Sequence, residues 1–216
     1  MKKNSILYSM MVLAGLLIFN TACEDEELSP YVEPLPGVHA YAELAEGAPE
    51  DFMYGDLNEE ITYEIQWVSV DQQLSVNRID LYVLFNENYV DEDGNPLVAR
   101  HGGNEGILFR TIESSEVPGN RENIAFSLTQ SQIFDLYEGV TFDYDDEDST
   151  APTPVFTNPD KPSRDLPGAP FIEDDEFSVR WVLYTDNDLV FDSWSPSVCT
   201  ELPGANCEVS WGVEEE

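Results

Sequence analysis

From Ile61 to Val70 the chain alternates apolar and polar residues one by one, with Ile61, Tyr63, Ile65 and Trp67 on one side and Thr62, Glu64 and Gln66 on the other. Successive side chains of a pleated strand point to opposite faces, so a period of two predicts an antiparallel strand with one face buried and one face wet. The same rhythm runs through Val76–Val90, where Ile79, Leu81, Val83 and Phe85 oppose Asp80, Tyr82 and Leu84. It returns at Phe177, Val179, Trp181 and Leu183, which oppose Ser178, Arg180 and Val182. No long helical segment separates these stretches, as the crossovers of a parallel sheet would require.

Turn chemistry places the remaining strands. Asp91-Glu92-Asp93-Gly94-Asn95-Pro96 carries an Asp-Gly pair suited to a tight turn, after which Leu97–His101 returns as a partner strand. Ile107–Ile112 and Asn123–Leu128 read as further strands, and Asp186-Asn187-Asp188 turns the chain into a hairpin completed by Leu189–Trp194. A first edge strand is expected between Gly37 and Leu44, and a last short alternation at Val209, Trp211 and Val213. Thr129 stands three residues before Gln132 and ahead of Ile133, Phe134, Leu136 and Tyr137, which is capping-box spacing and predicts one short helix at an end of the fold. The expectation is an all-β domain over residues 37–216: a single immunoglobulin-like or fibronectin-like antiparallel β-sandwich with one short helix.

Residues 143–176 interrupt the pattern. Asp143, Asp145, Asp146 and Asp148 open a stretch that contains Pro152, Pro154, Pro159, Pro162, Pro167 and Pro170 and closes on Glu173-Asp174-Asp175-Glu176. Charge and proline at this density predict a long acidic surface insertion. The four aspartates offer oxygen ligands on a loop, a candidate calcium site at Asp143, Asp145, Asp146 and Asp148. They lack the glycine and terminal glutamate of the regular calcium loop, and a solvated run of charge is the plainer reading.

The start of the chain has another character. Lys2 and Lys3 precede an apolar run from Ile6 to Phe19, followed by Asn20-Thr21-Ala22-Cys23. A basic start, an apolar segment too short to span a bilayer permanently and small residues before a cut predict a secretory leader over residues 1–22. Of three cysteines in an exported chain, Cys199 and Cys207 can pair across a small loop, which leaves Cys23. Residues 23–36, with Pro30, Pro34 and Pro36 among acidic residues, read as an extended tether.

Nine basic against 44 acidic residues give a formal charge of −35, or −37 once Lys2 and Lys3 leave with the leader. Such a field repels phosphate backbones and anionic headgroups, which excludes nucleic acid and electrostatic membrane binding as expected roles. His39 and His101 are the two histidines, and neither stands near a recognisable nucleophile. No phosphate-cradling loop, zinc-ligand spacing or dinucleotide fingerprint occurs. The chain is therefore read as a non-enzyme with no cofactor beyond candidate calcium. Trp67 and Trp181 lie mid-strand on apolar faces and belong to the core, whereas Trp194 and Trp211 lie near strand ends and are the candidate contacts for a glycan or a protein partner.

Thr21-Ala22-Cys23 resembles the lipobox of bacterial lipoproteins, with Asn20 where that family usually carries leucine. The resemblance implies lipidation of Cys23. Glu24, Asp25, Glu26 and Glu27 resemble the surface-export signal of lipoproteins from the Bacteroidota. The segment from Phe177 to Pro196, an aromatic strand, a polar turn, a return strand and a Ser-Pro, resembles the end of the N-terminal immunoglobulin-like domain of starch-utilisation-type outer-membrane lipoproteins. What this implies is a lipid-anchored, surface-exposed outer-membrane protein. Its expected role is that of an accessory subunit beside a TonB-dependent transporter or its lid lipoprotein. The alternative is a stand-alone surface binder of glycan or calcium. This chain has no room for the carbohydrate-binding domains that follow in larger members.

Overall fold

The computed structural model describes residues 35–91, 93–144, 151–158, 161, 168–195, 199 and 206–215, and every element below belongs to the unit Pro36–Glu216. In chain order these are β1 (Val38–Leu44), β2 (Phe52–Met53), β3 (Glu60–Ser69), β4 (Val76–Val90), β5 (Pro96–His101), β6 (Ile107–Ile112), β7 (Asn123–Thr129), α1 (Gln130–Tyr137), β8 (Thr141–Phe142), β9 (Thr153–Pro154), β10 (Asp175–Thr185), β11 (Val190–Asp192), β12 (Glu208–Trp211) and β13 (Val213–Glu214). The fold is mostly β, built of curled antiparallel sheets.

One sheet has three strands in the order β1-β3-β7. A second has six, with β4 and β10 at its centre, and β2 pairs with β13 in a short parallel ribbon of its own. Along β4, β6 pairs with the first half and β5 with the second; along β10, β12 pairs with the first half and β11 with the second. The alternation decides what each strand buries. Ile61, Tyr63, Ile65 and Trp67 of β3, Ile79, Leu81, Val83 and Phe85 of β4, and Phe177, Val179, Trp181 and Leu183 of β10 share one hydrophobic core. Burying an indole requires an acceptor for its N–H; Trp181 Nε1 donates to Ala40 O at 3.2 Å and Trp67 Nε1 to Pro118 O at 2.7 Å.

The helix forms as its cap predicts. The Thr129 hydroxyl accepts from Gln132 N at 3.2 Å, while the Gln132 side chain accepts from Thr129 N at 3.0 Å. Ile133 and Tyr137, one turn apart, are buried, and the Tyr137 hydroxyl donates to Val83 O at 2.7 Å, fastening the helix to β4.

The acidic, proline-rich stretch corrects the sequence expectation. It is not wholly a surface insertion, because Val155, Phe156, Phe171 and Ile172 are buried, and β8 pairs with β9 at its start. Phe171 is 0 % exposed, with ring centroids 4.9 Å from Phe177, 5.3 Å from Phe85 and 5.5 Å from Phe156. Counting prolines and charges hides the buried apolar residues, Ala169 also among them. Buried polar groups lock it there. Glu87 Oε2 lies 2.9 Å from His101 Nε2 and accepts from the Tyr144 hydroxyl at 2.8 Å, and Glu87 Oε1 accepts from Asn158 Nδ2 at 3.3 Å. Lys161 Nζ donates to Asp175 Oδ1 at 3.0 Å and to Asn88 O at 2.6 Å. His101, the last residue of β5 as the alternation predicts, is buried.

Candidate functional site

The long pairing of β4 with β10 leaves a second face pointing away from the core, and the register writes its layout. Tyr184 stands beside Arg78, Val182 beside Asp80, Arg180 beside Tyr82, and Ser178 beside Leu84. β11 adds Val190 next to Tyr184 and Asp192 next to Val182. β12 adds Glu208 next to Arg180 and Ser210 next to Ser178. On the far side, β6 adds Leu108 next to Tyr82 and β5 adds Arg100 next to Asn86. Three of the chain's nine basic residues, Arg78, Arg100 and Arg180, therefore gather on one sheet face of a strongly acidic protein.

Arg180 is the organising side chain. Its guanidinium carbon sits 4.1 Å from the ring centroid of Trp194, its Nε donates to Glu208 Oε2 at 2.7 Å, and its Nη1 donates to Asn104 O at 2.8 Å. A planar guanidinium suits such a triple fixation, stacking through its face and donating from its edge. Arg78 repeats the theme: its guanidinium carbon lies 3.6 Å from the Tyr184 ring centroid, and its Nη2 reaches Asp80 Oδ2 at 3.2 Å. The bond to Tyr184, with Asp80, Tyr184 and Glu113 nearby, raises the Arg78 pKa further above its ordinary value. Burial, with Tyr184 and Asp80 nearby, raises the Tyr82 phenol. Both groups thus keep their ordinary protonation states at neutral pH.

Two clefts flank Arg180. One, of about 500 Å³, is lined by Tyr82, Tyr184, Trp194, Val182 and Val190, with Glu105 and Asp192 supplying carboxylates. The other, of about 440 Å³, is more polar, with Asn86, Arg100, Glu176, Ser178 and Ser210 in its lining. Asn104 and Glu105 reach the first cleft because the β5–β6 connection folds tightly down on β4. Gly106 has φ +83°, and a Cβ there would lie 2.5 Å from Val83 O, so only glycine allows this approach. Exposed apolar surface continues around the clefts: Val190 is 57 % and Leu108 47 % exposed. The arrangement offers aromatic faces, fixed guanidiniums and carboxylates, a candidate binding surface.

The two tryptophans singled out in the sequence part company. Trp194 is half-buried and lines the aromatic cleft. Trp211 is a correction: it is 4 % exposed, because its register opposite Phe177 turns the ring toward the core. There it meets Tyr63, Phe177 and Phe52 at centroid distances of 5.6, 5.8 and 6.0 Å. Cys199 and Cys207 bring their sulfurs to 2.17 Å with Cα atoms 5.9 Å apart, so the expected pair forms. Asp143 is exposed, while Asp145, Asp146 and Asp148 lie outside the described residues, as do Cys23, Glu24, Asp25, Glu26 and Glu27. Among the described residues no cluster of histidine, cysteine or carboxylate side chains is arranged to hold a metal ion, and no helix is long and apolar enough to cross a membrane.

Sequence reading alone does not assemble Tyr82, Tyr184, Arg78 and Arg180. The available signal was scarcity, since each arginine placed mid-strand in so acidic a chain asks for a reason. No protein-family model matches the chain, and no curated protein matches it in sequence.

Proposed function

We propose that this chain is a lipid-anchored, non-enzymatic protein of the outer-membrane surface. In this reading its β-domain, an immunoglobulin-like sandwich, serves as an accessory subunit of a TonB-dependent nutrient-uptake complex of the starch-utilisation type. The observation that carries the binding role is the outer face of the β4–β10 sheet, where Arg180, stacked on Trp194 and tied to Glu208 and Asn104, divides two clefts bordered by exposed Val190 and Leu108. Aromatic and arginine side chains held rigid before contact lose little entropy on docking, the property of interface anchors. The leader, Cys23 and the acidic residues behind it support the surface address, and the Cys199–Cys207 pair fits an oxidising compartment.

A second reading, a stand-alone glycan binder, draws on the same aromatic cleft. Tyr82, Tyr184 and Trp194 offer apolar ring surface, and Glu105 and Asp192 offer acceptors for sugar hydroxyls. Purification of the tagged, lipidated protein from its native outer membrane in mild detergent separates the two. A transporter recovered in stoichiometric amount supports the subunit. Recovery alone, with a melting temperature that rises on addition of a defined oligosaccharide to the isolated protein, supports the binder and removes the first reading.

A further inference from the structure

Among the described residues β1 is the edge of its sheet, with β3 on one side only. The other side presents backbone donors and acceptors that folded proteins must cover. Here side chains cover them. Asn206 Oδ1 accepts from Ala42 N at 2.9 Å, and Asn206 Nδ2 donates to Ala42 O at 2.8 Å. One side-chain amide thereby reproduces both bonds that a residue of a neighbouring strand would exchange with Ala42. Two residues back, the Trp181 indole N–H serves Ala40 O.

Asn206 has a covalent neighbour that fixes its place. Cys207 is bonded to Cys199, and the Cys207 carbonyl accepts from the Ser193 hydroxyl at 3.0 Å, whose oxygen accepts from Trp181 N at 3.2 Å. The residue covering β1 is thus next to a cysteine held twice, by the disulfide to Cys199 and through Ser193 to the strand that supplies the second cover. Secondary structure alone leaves Asn206 less constrained, because β12 begins two residues later, at Glu208.

We propose that the Cys199–Cys207 disulfide is a redox-sensitive clasp on the β1 edge: closed, it holds Asn206 in place of the missing strand, and opened, it releases the backbone of Ala42. Opening takes two electrons and two protons. A dithiol supplies them, closing to its own cyclic disulfide as Cys199 and Cys207 become thiols. The pairing of β12 with β10 survives, so the release is local.

Amide hydrogen exchange on the full-length chain, oxidised and then reduced with dithiothreitol, tests this. The Ala42 amide is expected to exchange at least roughly tenfold faster after reduction, while Ile65 and Val179, in strand centres, keep their protection. Asn206→Ala with the disulfide intact is expected to release Ala42 equally. An unchanged Ala42 amide in either experiment overturns the proposal. So does a uniform acceleration that includes Ile65 and Val179, which would make the bridge a support of the whole fold. Cys199→Ser with Cys207→Ser repeats the test without reductant and must give the same local pattern.

Discussion

Replacing Phe171 with alanine tests whether the acidic, proline-rich stretch belongs to the core. The ring is fully buried and packs edge-on against Phe85 and Phe177, with Phe156 beside it. Truncating such a ring removes its transfer free energy and leaves a cavity that aromatic neighbours on β4 and β10 cannot easily refill, at a cost of about 3–5 kcal/mol. For a unit of this size each kcal/mol moves Tm by about 2–4 °C, so the expected fall is about 6–20 °C. Urea unfolding is the better assay, because a lower midpoint at constant slope reports lost stability rather than an altered unfolded state. Phe171→Ala with Phe156→Ala should fall short of the sum of the single losses, since the two rings share one cavity. If residues 143–176 were only a surface insertion, Phe171→Ala would change stability by no more than about 0.5 kcal/mol. That result would refute the packing argument.

Four other outcomes follow from the same structure. Glu87→Ala leaves His101 Nε2 buried without its partner and removes the carboxylate from Tyr144 and Asn158; the expected loss is about 1–3 kcal/mol by chemical denaturation. Burial, with Asp51 adding to it at Tyr63, holds the Tyr63 and Tyr137 phenols well above their ordinary value of 10.0. Their folded pKa exceeds the unfolded one, so the stability they contribute is fully present below pH 10 and is lost as pH rises further. Phenolate absorbance should appear together with alkaline unfolding, and Tyr137→Phe should flatten that limb. Trp194→Ala removes a half-buried cation–π contact and should cost about 1–2 kcal/mol in stability, whereas Trp211→Ala should cost about 3–5 kcal/mol; thermal scans of both variants distinguish the cleft tryptophan from the core one. With a charge of −35, melting temperature should rise as sodium chloride goes from about 0.1 M to about 1 M and the screening length falls from about 10 Å to about 3 Å.

The strands were legible because period-two alternation is a strong local signal, and the bounds of β4 and β6 fall where the pattern starts and stops. The Asp-Gly hairpin was legible for the same local reason: Gly94 has φ +85°, and Asp91 N donates to Asn95 O at 3.1 Å. The capping box announced α1. What the sequence hid is non-local. Arg180 and Tyr82 lie about a hundred residues apart and become neighbours only through the β4–β10 register, which no local pattern specifies. In the sequence Trp211 stands near a strand end. Its inward direction follows from pairing opposite Phe177, a fact of β12 and β10 together. Phe171 was masked by its prolines and acids, whose average polarity says nothing about one buried ring.

In the proposed function this domain binds a transporter partner through the outer face of the β4–β10 sheet. That docking is tested most directly by comparing the tagged wild-type protein with a Val190→Asp, Trp194→Ala double variant in the mild-detergent purification from native outer membrane. The expected result is a stoichiometric transporter with the wild type and its loss with the variant, while the variant's melting temperature stays within a few degrees of wild type. Wild-type protein recovered alone at near-complete extraction, or a transporter retained undiminished by the variant, would contradict it.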